Sequence, residues 1–309
     1  MNKQLPNGVF PTMITPFTAS NEVDYTALEK LVEWYIQHKV DGLFAVCQSS
    51  EMFKLSLDER VELARFIMEK AKGRVPVIAS GHIADTFEEQ VKELKAMCGT
   101  GIDALVLITN RLVQQHESDE VFKGNLERLL KHIPDHIPLG FYECPSPYKR
   151  VMSPSLLRWC AETGRFFFLK DTSCDMENIT EKLEAVQGTG LKIYNANTAT
   201  LLDSLKLGIA GYSGVMANFH PELYVWLTRN YSDRPVEAKQ LSDQLSMASL
   251  IEKQLYPVNA KYYQMLEGNF TNNISRTQDY TAFTPTHRLE VEQLQRLSKR
   301  LAEQLPDGK

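Results

Sequence analysis

The chain has 309 residues, a formal net charge of −5 and a pI near 5.9, with 43% hydrophobic and 24% charged residues. This composition is ordinary for a globular protein with a large core, and the acidic balance argues against a nucleic-acid or anionic-membrane partner. No segment approaches the ~18 apolar residues of a membrane span, and the N-terminus lacks the apolar core of a signal peptide.

One unit, an apolar strand followed by a helix, repeats along the chain. The strand-like runs begin near Val9, Gly42, Pro76, Ala104, Pro138, Phe166, Lys192 and Gly211. The clearest helix between them is SLDERVELARFIMEKAKG, where Ser56 and Glu59 predict a capping box and Gly73 a C-cap. Eight such units predict an α/β fold, a (β/α)8 TIM barrel, with an open doubly wound sheet as the alternative.

A helical pattern continues from about Pro221 to Leu305, which is longer than the eighth crossover needs. No linker rich in Pro, Gly or Ser divides the chain. We therefore predict that residues 1–220 form the barrel. Residues 221–309 are expected to form the last barrel helix and a C-terminal helical extension of the same domain.

The cysteine, histidine and glycine patterns favour neither a metal nor a cofactor. Five cysteines without a C-x-x-C spacing are typical of reduced thiols, so we expect a cytoplasmic protein. The GTG triplets at Gly99 and Gly188 fall where a helix ends and a strand begins, whereas phosphate-binding loops lead from a strand into a helix. We interpret both as helix-terminating turns.

Lys170 lies within the stretch RFFFLKDTSC, directly after an apolar run that predicts a strand buried on both faces. Taken alone, it is either a surface lysine or an amine held in a dry pocket. In a barrel, chemistry lies at the carboxyl ends of the strands. Polar or small residues stand at the other strand ends: Gln48, Ser49 and Ser50 after strand 2, Tyr142 in strand 5, and Ser213 and Gly214 in strand 8.

Strands 5 and 6 are expected to be neighbours, so Tyr142 and Lys170 are predicted to point into one mouth. A buried tyrosine at a strand end is often only a packing residue. A lysine and a tyrosine on adjacent strand ends, with hydroxyl groups from strand 2, form a more specific set.

At residues 8–300 the chain resembles the dihydrodipicolinate synthase / N-acetylneuraminate lyase family of class I, Schiff-base aldolases. Three segments align with motifs of the family: CQSSE with G-[ST]-T-G-E, YECP with Y-[NE]-x-P, and LKDTS with [IL]-K-x-[TS]. The opening GVFPTMITPF and the stretch SLDERVELARFIMEKAKGRVPVIA also match.

This resemblance implies a lyase or aldolase acting on a 2-oxo acid, with Lys170 as the nucleophile that forms an imine. Tyr142 would shuttle protons, and burial would lower the pKa of the lysine in the required direction. Gln48, Ser49 and Ser50 would hold the substrate carboxylate. Thr172, Asn197, Ser213 and Gly214 are further candidate substrate contacts. The resemblance also implies a homotetramer built as a dimer of dimers.

The departures from the family pattern lie in the substrate pocket. In the G-[ST]-T-G-E motif, Cys47 and Ser50 replace the two glycines and Gln48 replaces the first hydroxyl residue. Where the synthases carry an arginine and two adjacent tyrosines, this chain has Pro147 and the pair Arg111 and Leu112. Where sialic acid lyases carry an acidic pair, it has Thr198 and Ala199. These changes argue against true dihydrodipicolinate synthase activity and against sialic acid. The alternative hypothesis is a non-catalytic 2-oxo-acid-binding or regulatory relative that keeps the barrel.

Overall fold

The computed structural model describes residues 5–306, and within them eight short parallel strands form one sheet. They are β1 (Gly8–Val9), β2 (Leu43–Phe44), β3 (Val77–Ala79), β4 (Ala104–Ile108), β5 (Leu139–Tyr142), β6 (Phe166–Asp171), β7 (Lys192–Asn195) and β8 (Gly211–Tyr212). The strand order is β1-β8-β7-β6-β5-β4-β3-β2, and a parallel bridge between Thr12 and Phe44 joins the two ends. The predicted barrel is confirmed, and the open doubly wound sheet is wrong.

Eleven α-helices lie within residues 5–306. They are α1 (Tyr25–Gln37), α2 (Leu57–Ala71), α3 (Phe87–Cys98), α4 (Asp119–Leu130), α5 (Pro154–Glu162), α6 (Met176–Val186), α7 (Leu201–Leu207), α8 (Pro221–Asn230), α9 (Pro235–Ala248), α10 (Val258–Leu266) and α11 (Pro285–Gln304). Short 3₁₀ helices include Gln48–Ser50 after β2 and Ser249–Lys253 between α9 and α10. No helix in this described part of the chain is long and apolar enough to span a bilayer.

The helix boundaries follow from local polar signals. The Ser56 hydroxyl accepts from the Glu59 N–H at 3.1 Å, and the Glu59 carboxylate accepts from the Ser56 N–H at 2.8 Å, so the predicted capping box at α2 is confirmed. The C-cap is Lys72 rather than Gly73, which follows it with a φ of +69°. Gly99 caps α3, and Gly188 follows the end of α6, as the turn interpretation predicts.

A layer of aromatic rings fills the barrel beneath the carboxyl ends of the strands. Phe168 stacks on Tyr194 with centroids 4.6 Å apart and contacts Phe10 at 5.7 Å and Phe44 at 6.0 Å. All four rings are fully buried. Side chains two residues apart on a strand share a face, so Lys170 stands directly above Phe168. The floor of the barrel mouth is therefore apolar.

The helices after β8 pack on the barrel and on each other, with α8 against α9 and α10 against α11. The carboxylate of Glu51, after β2, binds the Lys261 ammonium of α10, and both side chains are fully buried. This ion pair ties the turn after β2 to the C-terminal helices. The division of the domain at residue 220 stays a prediction, and residues 1–4 and 307–309 of those predicted segments lie outside the described residues.

Candidate active site

A cavity of about 510 Å³ opens at the carboxyl ends of the strands. This volume lies within the usual range for small-molecule sites. Seven of the nine predicted site residues line it: Gln48, Ser49, Tyr142, Lys170, Thr172, Asn197 and Gly214. The structure does not bring the other two, Ser50 and Ser213, to the cavity wall.

Ser50 and Ser213 are fully buried, and backbone groups hold their hydroxyls. Ser50 Oγ donates to the Cys47 carbonyl at 2.7 Å, and Ser213 Oγ donates to the Phe10 carbonyl at 3.0 Å. Because successive side chains point to opposite sides of an extended segment, Ser213 turns away while Gly214 lines the cavity. A Cβ on Gly214 would lie 2.2 Å from the Tyr212 hydroxyl and 2.5 Å from the Ala196 carbonyl oxygen, so this position requires glycine.

Tyr142 on β5 and Lys170 on the neighbouring strand β6 are register partners. The Lys170 Nζ atom lies 4.8 Å from the centroid of the Tyr142 ring, and the two residues are 3% and 4% exposed. The phenol packs edge-on against Phe44, with centroids 5.7 Å apart. The structure therefore places the amine and the phenol side by side in the barrel mouth, as the strand order predicted.

Burial lowers the pKa of Lys170 to about 8, although the Cys47 and Cys144 thiols and Glu252 pull it upward. Within residues 5–306, no hydrogen bond or ion pair holds this ammonium. Burial likewise raises the pKa of Tyr142 well above its usual value, so the phenol keeps its proton. The site thus holds an amine that readily becomes neutral beside a phenol that can donate.

The residues that follow this pair point out of the barrel and meet a second lysine. Lys182 Nζ, on α6, lies 2.6 Å from Glu143 Oε1 and 2.5 Å from Asp171 Oδ2, with all three side chains fully buried. Burial alone would lower the pKa of Lys182, but the two carboxylates raise it. The Thr172 N–H donates to Glu143 at 3.0 Å, which ties the ends of β5 and β6 together.

The turn after β2 forms another wall of the cavity. The Cys144 thiol donates to Gln48 Oε1 at 3.3 Å, and the Ser49 hydroxyl donates to Thr12 Oγ1 at 3.1 Å. Glu51 occupies a left-handed conformation with a φ of +62°. Its carboxylate accepts from Lys261 Nζ, Ser275 Oγ, the N–H groups of Arg276 and Thr277, and Thr277 Oγ1. The C-terminal segment therefore fixes this turn.

Several residues that line the cavity are not predicted from the sequence. Glu252 and Tyr256 come from the segment between α9 and α10, and Lys149 follows β5. The Tyr256 hydroxyl accepts from Asn218 Nδ2 at 3.0 Å, and Lys149 Nζ donates to the Thr172 carbonyl at 2.6 Å. No motif marks these residues in the sequence, because only the packing of the C-terminal helices brings Glu252 and Tyr256 to the barrel mouth.

A larger groove, of about 890 Å³, lies between α9 and α11. It is open, and Lys170 and Tyr142 do not line it. Within residues 5–306, no group of three or more His, Cys, Asp or Glu side chains is placed to hold a metal ion. We therefore take the smaller cavity as the candidate active site.

A closed parallel barrel with polar groups at the carboxyl ends of its strands is the architecture of a barrel enzyme. The particular family is shown by a family model, that of the dihydrodipicolinate synthetase family, which matches residues 5–301. The chain belongs to this family, whose enzymes are carbon–carbon lyases of the class I aldolase type.

The relatives confirm a divergent member. The 4-hydroxy-tetrahydrodipicolinate synthase of Pseudomonas aeruginosa is 27% identical over 219 residues, which is 69% of this chain and 71% of the relative. The enzyme of the same name from Saccharophagus degradans is 25% identical over 298 residues, covering 95% and 99%.

Solved structures share the fold at lower identity. The 4-hydroxy-tetrahydrodipicolinate synthase of Methylacidiphilum fumariolicum SolV has a TM-score of 0.83 at 22% identity, covering 96% of this chain and 97% of that one. A prophage protein of the dihydrodipicolinic acid synthase family from E. coli K12, solved in complex with pyruvate, has a TM-score of 0.82 at 22% identity, covering 96% and 98%.

Proposed function

We propose that this chain is a Schiff-base-forming lyase or aldolase that acts on a pyruvate-type 2-oxo acid through Lys170. The observation that carries the proposal is the buried Lys170 amine, whose pKa is about 8 and which lies beside the Tyr142 phenol. At pH 7 about a tenth of such an amine is neutral, against roughly four in ten thousand for an ordinary lysine. The pyruvate bound to the E. coli K12 relative supports the choice of substrate class.

In the proposed reaction, neutral Lys170 attacks the C2 carbonyl and forms a carbinolamine. Loss of water, assisted by a proton from Tyr142, gives an iminium that draws electrons from the adjacent bond. The C3–C4 bond then breaks, the C4 hydroxyl proton passes to the Tyr142 phenolate formed in the dehydration step, and an enamine and an aldehyde remain. Protonation of the enamine and hydrolysis of the imine release pyruvate and regenerate Lys170.

The turn of Gln48 and Ser49 is the proposed site for the substrate carboxylate. Both residues line the cavity, and a 3₁₀ helix begins at Gln48, so its first N–H groups favour an anion. The Cys144 thiol orients the Gln48 amide oxygen, which leaves the amide nitrogen for the ligand. Ser50 supports this turn from behind.

We further propose that the chain does not act as a true dihydrodipicolinate synthase. Arg111 pairs with Asp85 at 2.5 Å, and Leu112 is buried, where the resemblance calls for adjacent tyrosines. Thr198, at a position of the sialic acid lyase acidic pair, donates to or accepts from the Tyr212 and Tyr224 hydroxyls at 3.2 and 2.8 Å. Arg111 and Leu112 therefore do not supply the adjacent tyrosines that the resemblance expects for a synthase. Thr198 does not supply the carboxylate that it expects for a sialic acid lyase.

Trapping with borohydride tests the covalent mechanism. Incubation with pyruvate followed by reduction is expected to add one pyruvate-derived group per chain, mapped to Lys170 by peptide mass. Lys170→Arg keeps the charge but cannot be deprotonated in a protein, so its adduct should disappear. Lys206→Arg, at an exposed lysine of α7, is the matched control and should keep the adduct.

An adduct in the Lys170→Arg variant at the wild-type level would contradict the role of Lys170. A wild-type chain that forms no adduct with pyruvate or any other 2-oxo acid would instead favour the non-catalytic binding relative. A homotetramer and a cytoplasmic location are also proposals. Family membership supports the first, and the five free thiols of Cys47, Cys98, Cys144, Cys160 and Cys174 support the second.

A further inference from the structure

Glu252 places a carboxylate in the cavity from outside the barrel. It belongs to the 3₁₀ helix Ser249–Lys253, which connects α9 to α10, and it lines the same cavity as Lys170. The charges of the two side chains attract each other, so Glu252 raises the pKa of Lys170 and Lys170 lowers the pKa of Glu252. The residue is half-buried, so a bound substrate would meet it in a partly dry environment.

Among the described residues, the Glu252 carboxylate has no hydrogen bond and no ion pair. Burial raises its pKa to about 7, and the attraction of Lys170 offsets only part of this effect. Glu51, the other carboxylate on the cavity wall, is held by Lys261 and four further donors. A half-buried carboxylate without a partner is costly unless something that binds there supplies a donor.

The cations on the cavity wall do not compensate Glu252. Lys170 offsets the burial of Glu252 only in part, and as the proposed nucleophile it carries its charge, in the iminium, at the carbon that reacts. Lys149 donates to the Thr172 carbonyl, and Lys54 stands exposed at the rim. The part of the substrate that reaches Glu252 would therefore meet a carboxylate that no cation of the cavity wall holds in an ion pair.

We infer that Glu252 determines specificity at the distal end of the substrate, where it accepts hydrogen bonds from hydroxyl groups and excludes a second carboxylate. This inference rests on the proposed function and names its substrate class as hydroxylated 2-oxo acids with an uncharged tail. A hydroxyl can donate to the carboxylate, whereas a carboxylate offers only acceptors and a repelling charge.

Two 2-oxo acids of equal length separate these effects: 2-oxoglutarate, which ends in a carboxylate, and 5-hydroxy-2-oxopentanoate, which ends in a hydroxyl. The measurement is the concentration that gives half-maximal borohydride-trapped adduct on Lys170, divided by the value for pyruvate in the same variant. This division removes any general effect of the substitution on the reactivity of Lys170.

At pH 8, above the pKa of Glu252, the ratio of half-maximal concentrations for 2-oxoglutarate over the hydroxy acid is expected to fall at least about tenfold in Glu252→Gln, because a charge repulsion and a charge-assisted hydrogen bond are both lost. Glu252→Lys should lower it further. Glu303→Gln, at an exposed glutamate of α11, is the matched control and should leave the ratio unchanged.

A ratio in Glu252→Gln within twofold of wild type, in a variant whose pyruvate adduct shows that it is folded, would overturn the inference while leaving the proposed function intact. Failure of the wild-type chain to form a pyruvate adduct would overturn the proposed function and, with it, this inference. The pyruvate arm therefore distinguishes the two failures.

Discussion

Two buried lysines of this chain show how surroundings decide the chemistry of one residue type. Lys182 meets two carboxylates, and its pKa rises; Lys170 meets an aromatic ring and no anion at hydrogen-bonding distance, and its pKa falls to about 8. A buried ammonium without a paired anion loses hydration that nothing replaces. Lys170 therefore loses its proton more easily than an ordinary lysine, whereas the raised pKa of Lys182 keeps it protonated.

Tyr142→Phe separates proton transfer from packing. If the phenol shuttles protons, the exchange of pyruvate methyl protons with D2O, which requires imine and enamine formation, should slow by roughly 10²–10⁴-fold. The pyruvate concentration for half-maximal exchange should change little, because the carboxylate is bound at the Gln48 turn. Exchange is measured by NMR.

The matched control is Tyr194→Phe. The Tyr194 hydroxyl donates to the Pro6 carbonyl at 2.6 Å, so its loss should reduce stability by about 1 kcal/mol and leave exchange at the wild-type rate. Wild-type exchange in Tyr142→Phe would remove Tyr142 from the mechanism and leave Lys170 in need of another proton donor.

At the scale of elements, the residues at the ends of β5 and β6 alternate between the cavity and Lys182 of α6. Tyr142 and Lys170 point inward, and the next residues, Glu143 and Asp171, point outward to Lys182. The buried ion pairs therefore fix the strand ends that carry the proposed reacting groups. This is a positioning role, separate from any contact with substrate.

Lys182→Met is expected to destabilise the fold by about 3–5 kcal/mol, because it leaves two buried carboxylates without a cation. Urea denaturation measures the loss, and Lys206→Met on α7 is the exposed control. A triple variant with Glu143→Gln and Asp171→Asn added should recover much of the stability. A loss below about 1 kcal/mol in Lys182→Met would show that the cation is dispensable.

The sequence predicts elements better than it predicts the full site. Apolar runs and helix caps suffice for the barrel, and the order of β5 and β6 suffices to bring Tyr142 and Lys170 together. The sequence does not predict the directions of the Ser50 and Ser213 side chains. Ser213 points away because one residue of register in an extended segment turns a side chain to the other face, and the Ser50 hydroxyl bonds the Cys47 carbonyl within a 3₁₀ turn that no local pattern predicts. Glu252 was missed because its position depends on long-range packing that leaves no local pattern.

For the whole molecule, light scattering is expected to find the homotetramer that we propose from the resemblance to the family. Arg111 and Leu112 stand where the resemblance expects adjacent tyrosines, one of which would complete a proton relay in a partner subunit, and Arg111 is paired with Asp85 of its own chain. Assembly would then support the fold rather than complete the proton relay. A monomer at micromolar concentration would contradict this prediction.

The Glu51–Lys261 ion pair joins the barrel to the C-terminal helices, and the two parts supply different residues to the cavity. The strands supply the amine and the phenol, while the segment between α9 and α10 supplies Glu252. If Glu252 acts as we infer, substrate preference can evolve by mutation in a region that contributes no strand, with the covalent chemistry left in place. A laboratory redesign of this enzyme would accordingly begin by exchanging residues 249–257 and would leave the barrel untouched.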